Sequence, residues 1–209
     1  MLPIHFPEDF TEQTAAHIVL DLETLSTAPN AVVTSIGAVA LNKYGQPIAD
    51  GELHMALKLN HQITTRHTDI NTIKWWEQQS QEAQAGSYAA LEHLRWHVET
   101  ALQAFSNWIH LRTDMKHVRV WGNGCSFDNV ILASLYRDWH ITAPWKFWND
   151  RDMRTVTGLI PSVKTLPFMG IKHHALDDAR HEANQLSQAI QRLSSLLTTS
   201  SAATQATTA

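Results

Sequence analysis

The stretch HIVLDLETL, residues 17–25, decides how this chain folds. Ile18, Val19 and Leu20 are consecutive apolar residues, so residues 17–22 read as a strand buried on both faces, in the middle of a sheet. Asp21 and Glu23 close it. A period of two places both carboxylates on one face of the strand end. Carboxylates at the mouth of a buried strand are costly to desolvate unless something positive meets them. A divalent cation, which prefers hard oxygen ligands, is one suitable partner. Taken alone, D-x-E reads first as two solvated groups at a loop start, since short motifs recur by accident.

Working outward, residues 31–41 (AVVTSIGAVAL) are β-rich, and Gly45-Gln46-Pro47 turns the chain toward a strand over residues 52–59. The three predicted strands form an antiparallel meander. A tryptophan-containing helix over 72–84 breaks near Gly86, and a longer one is expected over 88–111. Its apolar residues Leu91, Leu94, Val98, Leu102, Phe105 and Ile109 recur at steps of three and four. A fourth strand at 118–121 turns through Gly122-Asn123-Gly124 into a helix over 127–139, and 165–171 is loop. The last helix, 175–197, carries Leu176, Ala179, Ala183, Leu186, Ile190, Leu193 and Leu197 on one stripe. A meander followed by alternating helices and strands is an α/β arrangement, a mixed sheet carrying helices. Residues 1–197 make one domain. Residues 198–209, TTSSAATQATTA, have no apolar stripe and are expected to be a disordered tail.

With 209 residues, 44% hydrophobic and 17% charged, the chain buries a sizeable core, which excludes a disordered tail-binder, a collagen or a rod. A formal charge of −4 argues against coating duplex nucleic acid by charge alone. It is compatible with a nuclease, whose catalytic carboxylates subtract from the total. The lone Cys125 cannot form an intrachain disulfide, the start lacks the pattern of a signal peptide, and no stretch is apolar enough to span a membrane. The expectation is a soluble cytoplasmic domain with no membrane partner.

Two further acidic groups stand at helix starts. Asp128, in WGNGCSFDNVIL, opens the helix after the fourth strand, where an acidic residue complements the helix N-terminus. In HHALDDA, residues 173–179, helix geometry places Asp178 about 100° and Asp177 about 160° from the centre of the apolar stripe. Asp178 therefore borders the core, and Asp177 is expected to face solvent. Zinc fits poorly, since there is no H-E-x-x-H or C-x-x-C. Gly122 and Gly124 lack the third glycine of a dinucleotide loop.

Taken together, D-x-E on a first strand, N-G-x-x-F-D opening a middle helix and H-x₄-D opening the last helix resemble the DEDDh family of 3′–5′ exonucleases. The resemblance runs from about residue 17 to 183, with the motifs in family order, and is strongest to the exoribonuclease-like branch of bacteria and phages. SIGAV (35–39), Trp75-Trp76 and WNDRDMRT (148–155) support it. It implies a ribonuclease H-like fold, with a five-stranded mixed sheet flanked by helices. It also implies that Asp21, Glu23, Asp128 and Asp178 bind two divalent cations, Mg²⁺ or Mn²⁺, with His173 as general base. His173, rather than His174, has the four-residue gap to Asp178. Two metals of this kind clamp the attacking and leaving oxygens of a phosphoryl displacement, and imidazole exchanges protons near neutral pH.

The implied partner is the 3′ end of single-stranded RNA or DNA, cut to nucleoside 5′-monophosphates, and the family suggests a homodimer. By position Leu25 is the candidate wedge against the terminal base, with Phe127 nearby and Thr24 and Asn123 as further substrate contacts. Family members often have glycine after D-x-E-T, whereas Leu25-Ser26-Thr27 follows here, which alters the terminal pocket. Trp75, Trp76, Trp145 and Trp148 are candidates for base stacking, although neighbours on a helix cannot both face one groove, so Trp75-Trp76 also reads as core or dimer interface. Lys146, Arg151, Arg154, Lys164, Lys172 and Arg180 gather near the last motif, as a phosphate path or an ordinary mixed surface. A non-catalytic binding module on the same fold would be expected to lack a carboxylate or the histidine. A phosphatase with an aspartate nucleophile would need D-x-D.

Overall fold

The computed structural model describes the backbone of residues 6–207 and the side chains of residues 6–196. Among the described residues, β1 (His17–Thr24), β2 (Val33–Leu41), β3 (Pro47–Ala56), β4 (Arg119–Gly122) and β5 (Asp150–Asp152) form one sheet in the order β3-β2-β1-β4-β5. The first three strands are an antiparallel meander, while β4 and β5 run parallel to β1. The helices are α1 (Asn60–Ile63), α2 (Ile70–Trp76), α3 (Gln81–Gly86), α4 (Val98–His110), α5 (Asp128–Asp138), α6 (Met153–Leu159) and α7 (Ala175–Thr207). This is the five-stranded mixed sheet of a ribonuclease H-like fold.

The consecutive apolar residues of β1 find cores on both sides. Ile18, Leu20 and Leu22 pack with Leu102, Phe105 and Ile109 of α4 and with Ile131, Leu132 and Leu135 of α5. Val19, on the opposite face, joins Val39, Leu41 and the α7 residues Ala179, Ala183 and Leu186. Asp21 and Glu23 continue the Val19 face, so the alternation of one strand delivers both carboxylates toward α7.

Several boundaries differ from the pattern. Residues 88–97 form no α-helix, only a single 3₁₀ turn at Glu92–Leu94. Arg95, 8% exposed, donates from Nε to the carbonyl of Ala90 (3.0 Å), from Nη1 to that of Leu57 (2.8 Å) and from Nη2 to that of Tyr88. Trp96 and Leu57 pair as an isolated bridge beyond the end of β3. The buried guanidinium claims the carbonyls of Tyr88 and Ala90, which a helix would have used, and Leu91 and Leu94 are left exposed. The same bridge ends β3 at Ala56, short of residue 59. The helix expected over 72–84 is two, because the Ser80 hydroxyl accepts the Ala83 N–H (3.2 Å) and caps a new start. The backbone of α7 stays helical to Thr207, past the expected end at 197. The side chains of 197–209, and residues 208 and 209 entirely, lie outside the described residues. No described helix is long and apolar enough to cross a membrane.

Candidate active site

Gly37 pairs with Asp21 across the β1–β2 ladder. A Cβ built on Gly37 would lie 2.1 Å from the carbonyl carbon of Ala175, so glycine is what lets the first turn of α7 rest directly on the sheet there. That close approach is the physical content of SIGAV. It sets Asp178, one turn into α7, above the carboxylate end of β1. From the other side, α5 begins with Asp128, whose Oδ1 accepts the backbone N–H of Leu22 (3.2 Å) and ties the helix to the strand.

The expected carboxylates therefore converge. Ligand atoms of Glu23, His173 and Asp178 all lie within 4.8 Å of one another. Burial, reinforced by Glu23 and the other carboxylates, raises Asp21 well above the ordinary range. Burial and then Asp178 and Asp128 push Glu23 up to about 8. Asp128 is pushed up to about 7 by burial, against which the Leu22 and Asn123 N–H groups pull down. Asp178 is raised by burial, with His173 opposing. No lysine or arginine forms an ion pair with any of the four among the described residues. The Oδ2 of Asp178 is buried without a hydrogen-bond partner. A set of four carboxylates without an ion-pair partner, one of its oxygens orphaned, fits a hard divalent cation such as Mg²⁺ or Mn²⁺.

His173 stands in the left-handed region (φ 64°) two residues before α7, and its ring meets Trp75 edge-on at 4.8 Å and 80°. Trp75 forms one wall of a cleft of about 410 Å³ shared with Glu23, Thr24, Thr72, Trp76 and Phe127. Adjacent tryptophans divide the work. Trp76 is 1% exposed and donates from Nε1 to the Thr24 carbonyl (2.9 Å), while Trp75 remains 39% exposed. The Thr24 hydroxyl donates to the Ser26 carbonyl (2.7 Å), so it holds the turn after the motif.

Three positional expectations are corrected. Leu25 is not on the cleft wall. It is buried with Val32, Trp76 and Ala83, and its backbone N–H bonds the Val32 carbonyl (2.9 Å). Asp177 does not face solvent, since it lies beneath the loop before His173 and is 8% exposed. Phe127 does line the cleft. Asn123 does not: its backbone supports Asp128 and its Oδ1 accepts from Arg154 Nε at 3.5 Å.

Trp145 is buried, donating to Asp150 (2.8 Å). Trp148 and Phe147 are exposed, but they precede β5, which runs parallel to β4 and β1, and so sit at the end of the sheet opposite Glu23. Arg180 is engaged by Glu52 and Asp177 (2.6 and 2.8 Å) rather than left free for phosphate. One acidic neighbour escaped the sequence reading. Glu182 is 4% exposed beside this cluster, and its position one turn after Asp178 was the available signal.

Known proteins with similar sequences and folds agree with the geometry. An exodeoxyribonuclease of Enterobacteria phage T4 is 26% identical over 157 residues, covering 66% of this chain and 68% of the phage protein. E. coli exonuclease I in complex with a dT13 oligonucleotide matches with a TM-score of 0.61 at 12% identity, over 87% of this chain. This chain spans only 42% of exonuclease I. The nuclease domain of 3′hExo, a DEDDh family member bound to rAMP, matches with a TM-score of 0.56 at 14% identity, over 84% of this chain and 92% of that one. The structural likenesses establish a shared fold. A family model described as the 3′–5′ exoribonuclease Rv2179c-like domain matches residues 16–190, a span that holds every motif residue, and the chain belongs to this family of DEDDh 3′–5′ exonucleases.

Proposed function

We propose that this domain removes nucleotides one at a time from the 3′ end of single-stranded RNA or DNA, releasing nucleoside 5′-monophosphates, by metal-dependent hydrolysis with His173 as general base. The observation that carries this reading is the meeting of Glu23, His173 and Asp178 within 4.8 Å at the rim of an aromatic-walled cleft. Asp21, Glu23, Asp128 and Asp178 would hold two divalent cations, which when bound supply Lewis-acid stabilisation of the attacking and leaving oxygens.

The chain's own groups do the rest. Trp75 and Phe127 offer faces on which a terminal base of any identity stacks. The cleft is bounded by the β1 end and α2, so the last phosphate is the one presented to the carboxylates. His173, its ring held against Trp75, takes the proton of the attacking water. All five motif residues are retained, which favours an enzyme over a binding module.

The test is digestion of 3′- and 5′-labelled RNA and DNA oligomers with Mg²⁺ or Mn²⁺. The expected result is stepwise shortening of 5′-labelled strands, with mononucleotides from the first time point. Cleavage of a circular single strand would overturn the reading.

A further inference from the structure

Besides the four motif carboxylates, α7 carries a fifth into the same site. Glu182 lies four residues after Asp178, one helical turn along the same face. It sits at a position where the stripe of α7 is otherwise built from Ala179, Ala183 and Leu186, packed on the sheet. Its side chain is nonetheless acidic, and the residue is 4% exposed. Buried glutamates ordinarily pair with a cation or accept several N–H groups. No ion pair to Glu182 exists among the described residues, and its Oε2 is buried without a hydrogen-bond partner. The Asn123 side chain hydrogen-bonds the carboxylate and Arg154 offsets part of its charge, but Asp128 and Asp178 press on it, its own charge acts on Asp21, and Oε2 is left without a partner. A hydrophobic residue would fill this core position without that cost. The site gains from a glutamate only if something positive comes to it.

We propose that Glu182 is a fifth carboxylate of the metal centre, contributing its free Oε2 to the binding of divalent cation on the Asp128–Asp178 side of the cluster. This deepens the metal-dependent reading above and rests on it.

The test is titration of the EDTA-treated full chain with MnCl₂ by calorimetry, alongside thermal melts, for the wild type, Glu182→Gln and Glu182→Leu. The expected result is that both variants melt, metal-free, at or above the wild-type temperature, because a buried uncompensated carboxylate has gone. Their Mn²⁺ dissociation constants should rise by about 10–100-fold, the scale for removing a group that supports a metal site. Wild-type Mn²⁺ affinity in Glu182→Gln would overturn the proposal and leave the metal-dependent reading standing. Unfolding of both metal-free variants would assign Glu182 to the core and also overturn it. Absence of saturable Mn²⁺ binding in the wild type would overturn the metal-dependent reading itself.

Discussion

The Oδ2 of Asp177 accepts the backbone N–H of Ile171 at 2.9 Å, so the residue next to Asp178 fastens the loop that delivers His173. Its Oδ1 accepts from Arg180 (2.8 Å), which is itself held by Glu52 of β3. Gly170, at φ 110°, closes the arrangement: a Cβ there would lie 2.6 Å from the Asp177 carboxyl carbon. Burial would raise the Asp177 carboxyl, but the Ile171 N–H and Arg180 outweigh it and keep the group below its usual range.

Asp177→Ala is therefore expected to cost about 1–3 kcal/mol of stability, the penalty for stranding a buried polar partner. Turnover should fall more than substrate affinity, because the loop fixes His173 rather than the nucleotide. Asp177→Asn keeps an acceptor for Ile171 and should be milder. Thermal melts with kcat and KM on a labelled oligomer check this. An Asp177→Ala protein with wild-type melting and wild-type kcat would show the fastening to be irrelevant.

Asp21→Asn, Glu23→Gln, Asp128→Asn and Asp178→Asn are each expected to abolish turnover without unfolding the chain. Each removes cation-binding charge from a cluster that, metal-free, pays for its own repulsion. Metal-free stability should stay level or rise in all four. For the wild type, Mn²⁺ at a hundredfold excess over its Kd should stabilise by about 2.7 kcal/mol relative to EDTA. Circular dichroism, melts and single-turnover digestion read these outcomes, and a variant with retained turnover would remove that residue from the centre.

The same cluster sets a pH dependence. Metal-free, Glu23 is pushed up to about 8 by burial and then by Asp178 and Asp128, and Asp128 is pushed up to about 7 by burial against backbone N–H groups that pull it down. Between the ordinary carboxylate range and those values, the native state keeps protons that the unfolded chain has released. The EDTA-treated protein should therefore lose stability as pH rises from about 5 to 8, since the unfolded state binds fewer protons there. The Mn²⁺-induced gain should grow over the same window, because cation and proton compete for the same oxygens. Melting temperatures that climb with pH in EDTA would contradict the assignment.

The unequal legibility of the sequence has physical causes. HIVLDLE announces a central strand and a carboxylate pair because both depend on periodicity within one element. Asp178 follows from helix angle for the same reason. The burial of Asp177 is invisible to helix angle, because an angle measured from the apolar stripe of α7 says nothing about a loop folding over the other side. Leu25 sits in the right turn, but its backbone bond to Val32 draws the side chain into the core, leaving the wall to Trp75 from a distant helix. The 88–97 segment carries a helical apolar pattern that Arg95 overrides through three backbone carbonyls. Contacts between remote elements leave no such local trace.

His173→Ala is expected to lower the rate by about 10²–10⁴, the usual scale for loss of a general base. Mn²⁺ binding measured by calorimetry should persist, and the acid limb of the pH–rate profile should weaken. His174→Ala should be milder. The His174 ring stacks on His54 at 4.4 Å, a packing role distant from proton transfer. Wild-type rates for His173→Ala at neutral pH would exclude it as the base.

The last expectation separates Trp75 from Leu25. Trp75 is the exposed aromatic wall of the cleft and also the edge against which His173 rests. Stacking is worth about 1–3 kcal/mol per base, so Trp75→Ala should raise KM by roughly 5- to 150-fold. Because the imidazole loses its support, kcat should fall as well. Trp75→Phe restores a stacking face and should recover most of the KM. Leu25→Ala, by contrast, empties core volume beneath Trp76. It should cost about 2–5 kcal/mol of stability, with KM little changed below its melting temperature. Steady-state kinetics on one labelled oligomer, run beside melts for the three variants, distinguish the roles. If Leu25→Ala raised KM and Trp75→Ala did not, the base would be wedged by the β1 turn, and the cleft between Trp75 and Phe127 would not be where the 3′ end sits.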